Sequence, residues 1–151
     1  MEALPRRVVC CVALVATLGV AAASAAAGPT WSGRWRLTNI PIRDGAGTMT
    51  LVQKGSTVTG RFPWQLYSDK GFGSSGYCYT GKGGTIKGTV RGRALTGVLV
   101  FPAGDGHPRS TAPFRATLSA NGRRFEANGE VTSGECSTVA VYLSFTGARI
   151  G

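Results

Sequence analysis

From Gly33 onward, apolar and polar residues alternate along the chain, and clusters of Gly, Thr and Ser divide the alternation into short runs. Successive side chains of a strand point to opposite faces, so each run predicts a strand with one apolar face and one largely polar face. Four runs share a further pattern in which a small residue sits between two apolar ones on the same face. They are Val58-Thr59-Gly60-Arg61-Phe62, Ile86-Lys87-Gly88-Thr89-Val90, Leu95-Thr96-Gly97-Val98-Leu99 and Phe125-Glu126-Ala127-Asn128-Gly129. A small residue at mid-strand permits a sharp bend, so these runs predict a curved antiparallel sheet. Helical periodicity is absent.

The alternation predicts eight strands: Gly33 to Ile40, Thr48 to Gln53, Thr57 to Pro63, Gly84 to Arg91, Ala94 to Phe101, Ser110 to Ser119, Arg123 to Val131 and Val139 to Gly147. Their inward sets begin with Trp35, Leu37, Met49, Leu51, Val58, Gly60 and Phe62, and end with Val139, Val141, Leu143 and Phe145. Three connections, Lys54-Gly55-Ser56, Gly92-Arg93 and Ala120-Asn121-Gly122, have the composition of tight hairpin turns. In a meander all three fall at one end, and the longer connections, Pro41 to Gly47, Trp64 to Gly83, Pro102 to Arg109 and Thr132 to Thr138, fall at the other. The expected fold is all-β, an up-and-down antiparallel meander whose eight strands close into a barrel and thereby remove their edges. An open sandwich would need long crossovers between sheets, and these are hard to find in the sequence.

Residues Met1 to about Ala27 depart from this pattern. Arg6 and Arg7 precede an apolar run from Val8 to Ala23, followed by the small residues Ala25-Ala26-Ala27, the three regions of a secretory signal peptide. The alternative is a membrane anchor, since the run approaches the roughly 20 residues that span a bilayer; its alanine-rich second half favours cleavage. The expected organisation is therefore a signal peptide over 1–27 and a single β-barrel domain over 28–151, secreted or extracytoplasmic and not membrane-spanning once processed. Cys10 and Cys11 leave with the leader. Cys78 and Cys136 remain, and an even pair in an exported chain reads as a disulfide, with two buried free thiols as the alternative. Both lie in connections at the long-loop end of the meander. Loss of Glu2, Arg6 and Arg7 leaves 15 basic and 6 acidic residues of the chain's 17 and 7, a net charge of +9.

Gly33-Arg34-Trp35 opens the first strand and Arg149 follows the last, both at the tight-turn end. This arrangement resembles the calycin-type barrels, namely the lipocalins, avidins and small bacterial metalloprotease inhibitors. In these, a Gly-x-Trp on the first strand sits under a basic residue from the chain's end. The resemblance implies structural roles for Gly33, Trp35 and Arg149, with the guanidinium stacked on the indole. Biotin binding does not carry over, because Trp31 and Trp35 lie at the wrong end of the barrel. A protease-inhibiting trunk would have only Gly28-Pro29-Thr30-Trp31-Ser32 to use.

The chemistry concentrates in the longest connection, where Trp64, Tyr67, Phe72, Tyr77 and Tyr79 are interleaved with glycine and serine. Rigid aromatics among small polar residues suit recognition of a sugar, a flat small molecule or a protein surface. The competing reading is a lid whose aromatics fold back to fill the barrel mouth. On the binding reading, Arg43, Lys70 and Arg109 orient an anionic or polar group. The expected function is that of a non-enzymatic binding module for a small molecule or glycan, with a protein-binding inhibitor or effector as the alternative. A hydrolase would require Asp44 to converge with Asp69 or Asp105 as an acid-base pair, although loop aspartates followed by glycine more often form turns. One histidine, His107, and a bonded cysteine pair make no zinc set, and no cofactor motif is present. Arg34, Arg36, Arg61, Lys87 and Arg115 alternate outward, giving a basic wall suited to an anionic cell-surface polymer. Export and the lack of a stacking-aromatic strand argue against nucleic acid.

Overall fold

The computed structural model describes residues 28–43, 46–69, 77–139 and 141–151; the expected leader, residues 1–27, lies outside the described residues. Eight strands form a closed antiparallel barrel: β1 (Gly33–Thr38), β3 (Thr48–Lys54), β4 (Thr57–Phe62), β7 (Gly84–Arg91), β8 (Ala94–Phe101), β9 (Ser110–Leu118), β10 (Arg124–Glu130) and β11 (Tyr142–Ile150). Around the barrel they run β1-β11-β10-β9-β8-β7-β4-β3 and back to β1. Each strand is therefore bonded to the barrel strands adjacent in sequence, and β1 pairs with β11 to complete the ring. This is the up-and-down meander that the alternation predicts.

Two departures have local causes. The last strand lies three residues later than its apolar run suggests. Glu135–Val139 instead coils into a 3-10 turn, with Ser137 N–H donating to Gly134 C=O at 3.2 Å. Pairing then continues through Arg149↔Trp35 and Ile150↔Arg34, where no apolar alternation advertises it. The second departure is a small sheet of order β2-β5-β6, made of β2 (Ile42–Arg43), β5 (Gln65–Ser68) and β6 (Cys78–Tyr79), within connections that read as loops.

The inward positions are filled. Trp35, Leu51, Val58, Ile86, Leu99, Leu118, Phe125 and Leu143 are all essentially inaccessible to solvent. The mid-strand glycines make room for their neighbours: a Cβ on Gly97 would stand 3.1 Å from the Phe114 ring, one on Gly88 2.7 Å from Leu95, and one on Gly147 would overlap the Phe125 ring. Small residues thus serve as sockets for large ones on the adjacent strand, which gives a closely packed core.

Both ends carry aromatic plugs. At the tight-turn end, Trp31, Trp35 and Phe125 meet with ring centroids 5.1 to 6.3 Å apart, and the Trp35 indole N–H donates to Trp31 C=O at 3.0 Å. Arg149 covers the plug. Its guanidinium carbon lies 4.5 Å from the centre of the Trp35 ring, its Nε donates to Gly122 C=O at 3.0 Å, and its terminal nitrogens donate to the carbonyls of Ser32 and Thr30. At the opposite end Phe62 stacks on Trp64 at 4.2 Å, and Phe101 meets Phe62 edge-on at 5.0 Å.

Candidate functional site

The small sheet rises from the second plug. Trp64 anchors it: the side chain is fully buried and its indole N–H donates to Thr48 C=O at 2.9 Å. Thr80, also fully buried, ties the returning chain to β5, accepting from Leu66 N–H at 3.0 Å through its hydroxyl and from Gln65 Nε2 at 2.5 Å through its carbonyl. Cys78 and Cys136 form a disulfide with Cα atoms 5.2 Å apart, which clamps β6 to the 3-10 turn.

On this base, strand alternation and register put Arg43, Tyr67 and Tyr79 on one face, since Arg43 pairs with Gln65 and Tyr67 pairs with Tyr79. The Tyr67 ring lies 5.7 Å from Tyr77 in a stacked arrangement and 5.2 Å from Tyr79. Arg43 holds the group together. Its Nη1 donates to the Tyr79 hydroxyl at 2.6 Å, and its guanidinium carbon lies 5.6 Å and 5.4 Å from the Tyr67 and Tyr79 ring centres. The Tyr67 phenol is held above its ordinary pKa of 10.0 by desolvation and by the neighbouring Tyr77, Tyr79 and Asp69, with Arg43 pulling the other way.

Beyond Tyr79 the cluster continues to His107, whose ring centre is 5.4 Å away and whose Nδ1 lies 2.8 Å from a Glu135 carboxylate oxygen. His107 sits in a two-residue hairpin. Gly104 and His107 exchange backbone hydrogen bonds of 3.0 and 2.9 Å, and Asp105 and Gly106 both take positive φ. Asp105 is thereby a turn former. A groove of about 580 Å³ adjoins Tyr67, lined by Pro41, Tyr67, Ser68, Asp69, Val139, Val141 and Tyr142. Tyr142 is 74 % exposed and Tyr77 52 %.

Of the residues singled out in the sequence, Arg43, Tyr67, Tyr77 and Tyr79 come together. Trp64 is a correction: buried in the plug at 0 % exposure, it has no surface to offer a ligand, and it fills the barrel mouth as the lid reading expects. Arg109 is exposed but lines a different depression, with Thr85, Val100 and Pro102. Lys70, Phe72 and Asp44 lie outside the described residues. Glu135 and Tyr142 are the members that sequence reasoning missed. Glu135 had one available signal, its position next to Cys136, which the disulfide brings beside Cys78 and Tyr79. Among the described residues no three His, Cys, Asp or Glu side chains lie close enough to hold a metal ion, and no helix is long and apolar enough to cross a membrane.

Fold and site together define a closed eight-stranded antiparallel barrel with a packed interior and a disulfide-clamped aromatic cap at one end. Comparison with protein-family models, with curated proteins and with solved structures finds no match to this chain.

Proposed function

We propose that this chain is a secreted, non-enzymatic binding protein of calycin-like type that takes a glycan or small polar cyclic molecule on its cap, outside the barrel. The calycin-like assignment rests on the Gly33-x-Trp35 strand with Arg149 laid over its indole. Export rests on the three-part leader and is supported by the Cys78–Cys136 bond, which favours an oxidising compartment.

The observation that carries the binding site is the double role of Tyr67, which belongs to the tyrosine cluster and also forms a wall of the 580 Å³ groove. Ligand sites of this size commonly combine apolar walls with a few placed polar groups. Here Val139, Val141 and Tyr142 supply the apolar side and Asp69 an acceptor for hydroxyl groups. Among the described residues the inward side chains are buried and the rings of neighbours fill the space beside several mid-strand glycines, which supports recognition at the rim rather than inside the barrel.

The trunk required of a protease inhibitor receives less support. Trp31 is buried, and Arg149 bonds the carbonyls of Thr30 and Ser32, so Trp31 and its neighbours are used in closing the barrel floor. The test is a saturation-transfer NMR screen of mono- and oligosaccharides against the wild type, Tyr67→Ala and Tyr142→Ala. Binding by the wild type that both variants lose supports the site; binding unaffected by either removes it.

A further inference from the structure

The acidic residues of the barrel are unevenly distributed. The described acidic residues are Asp69, Asp105, Glu126, Glu130 and Glu135. Asp69, Asp105 and Glu135 lie in the cap or the connections beside it, while Glu126 and Glu130 belong to β10, four strands around the ring from β4 and so on the opposite wall. The wall β1-β3-β4-β7 contains no acidic residue, and it presents Arg34, Arg36, Arg61 and Lys87 outward, all exposed. Among the described residues the only carboxylate within 4.0 Å of a basic side chain's nitrogen is that of Glu135, beside His107 in the cap. These wall cations are therefore not neutralised within the described fold, and like charges in proximity destabilise it slightly.

Their arrangement is linear. Arg34 pairs with Thr50, Thr50 with Arg61, and Arg61 with Thr85, so one outward row crosses four strands as Arg-Thr-Arg-Thr. At the usual strand spacing Arg34 and Arg61 stand roughly 10 Å apart. Lys87 is displaced two residues along β7 from Thr85. Two adjoining depressions, of about 320 and 460 Å³, lie along this row with Thr50 and Arg61 as their common wall, and together they form a shallow trough along it. Threonine hydroxyls from Thr50, Thr59 and Thr85 line it between the cations.

We propose that this trough is a docking surface for an extended linear anionic polysaccharide, whose charged groups meet Arg34, Arg61 and Lys87 while the threonines bond its hydroxyls. Charge complementarity identifies the sign of the partner. Val52 is the wall's only large apolar side chain exposed to solvent, so the surface lacks the apolar face with which peripheral proteins enter a lipid headgroup layer. It also has no outward aromatic on which nucleobases could stack. The trough is separate from the cap groove and stands or falls independently of it.

The test uses immobilised heparin as a sulfated polysaccharide probe and compares two charge-matched triple variants. One is Arg34→Gln/Arg61→Gln/Lys87→Gln in the trough; the other is Lys82→Gln/Arg93→Gln/Arg123→Gln outside it. At about 0.15 M ionic strength the trough variant should lose affinity about tenfold or more, and its log–log salt slope should fall by roughly 2, at about 0.7 per released counterion. The control variant should lose clearly less. Equal losses in both variants, or no binding by the wild type, would overturn the proposal, as would equal or tighter binding to phosphatidylglycerol vesicles or to poly(dT). A second readout needs no variant: bound heparin should protect Lys87 from acetylation and leave Lys82 reactive, and equal reactivity of Lys87 with and without heparin would count against the trough.

Discussion

Arg149 lies with its guanidinium carbon 4.5 Å above the centre of the Trp35 indole and at the same time donates to three backbone carbonyls from two chain segments. A residue at one end of the chain thus seals the floor built at the other, and β1–β11 pairing closes the ring at the same place. Arg149→Met keeps the apolar stem but removes the stacking and leaves the carbonyls of Thr30, Ser32 and Gly122 without this partner. It should destabilise the protein by about 2–4 kcal/mol in urea unfolding. Arg149→Lys should recover only part of this, because an ammonium can neither lie flat on the ring nor reach three carbonyls.

The packed barrel makes a steric prediction. Gly147→Ala places a methyl group into the Phe125 ring and should cost about 1–3 kcal/mol, the usual range for overpacking. Phe125→Leu in the same chain should relieve much of that cost, so the double-mutant cycle should show a favourable coupling. A hollow barrel would accept Gly147→Ala without loss.

The cap depends on its clamp. Cys78→Ser/Cys136→Ser opens a link across 58 residues of sequence and should lower stability by about 4 kcal/mol on chain-entropy grounds. Hydrogen exchange should rise most at Tyr67, Tyr79 and Thr80, whose backbone bonds belong to the small sheet, while Trp35 and Leu51 stay the better protected.

The tyrosine cluster sets a pH dependence. Tyr67 ionises above its ordinary value of 10.0, so its neutral form is the one the fold favours. That contribution is fully present below the unfolded-state pKa and is lost as pH rises through the folded-state value. In an ultraviolet titration Tyr67 should therefore ionise later than in a Tyr67 peptide. Arg43→Gln should delay it further, because Arg43 is the neighbour that favours the phenolate.

How much of this was legible in the sequence follows from which signals are local. The strand runs from Gly84 to Arg91 and from Ala94 to Phe101 stand in the structure with the same bounds, because alternation and turn glycines both mark them. The disulfide is legible as an even cysteine pair behind an export leader, and the meander agrees with it by bringing both cysteines to one end. β5 and β6 were not legible. At four and two residues they are too short to show alternation, and they are held by Thr80 and by Trp64, whose partners are distant in sequence. The same limit applies to the site. Composition points to the tyrosines and Arg43, but it cannot separate an aromatic that plugs the mouth from one that stays outside, and so it groups Trp64 with Tyr67. Glu135 and Tyr142 reach the cap only through long-range folding, and the groove that Tyr142 borders has no sequence signature.

A packed barrel with recognition on its cap makes a spatial prediction. It is tested most directly by two-dimensional NMR of the full chain during titration with oligosaccharides. The indole N–H signals of Trp31, Trp35 and Trp64 report the interior, and the Tyr67 and Tyr142 rings with the Arg43 side chain report the cap. Shifts are expected at Tyr67, Tyr142 and Arg43 with all three indole signals unmoved. Shifts at Trp35 or Trp64 with the cap unchanged would contradict this prediction.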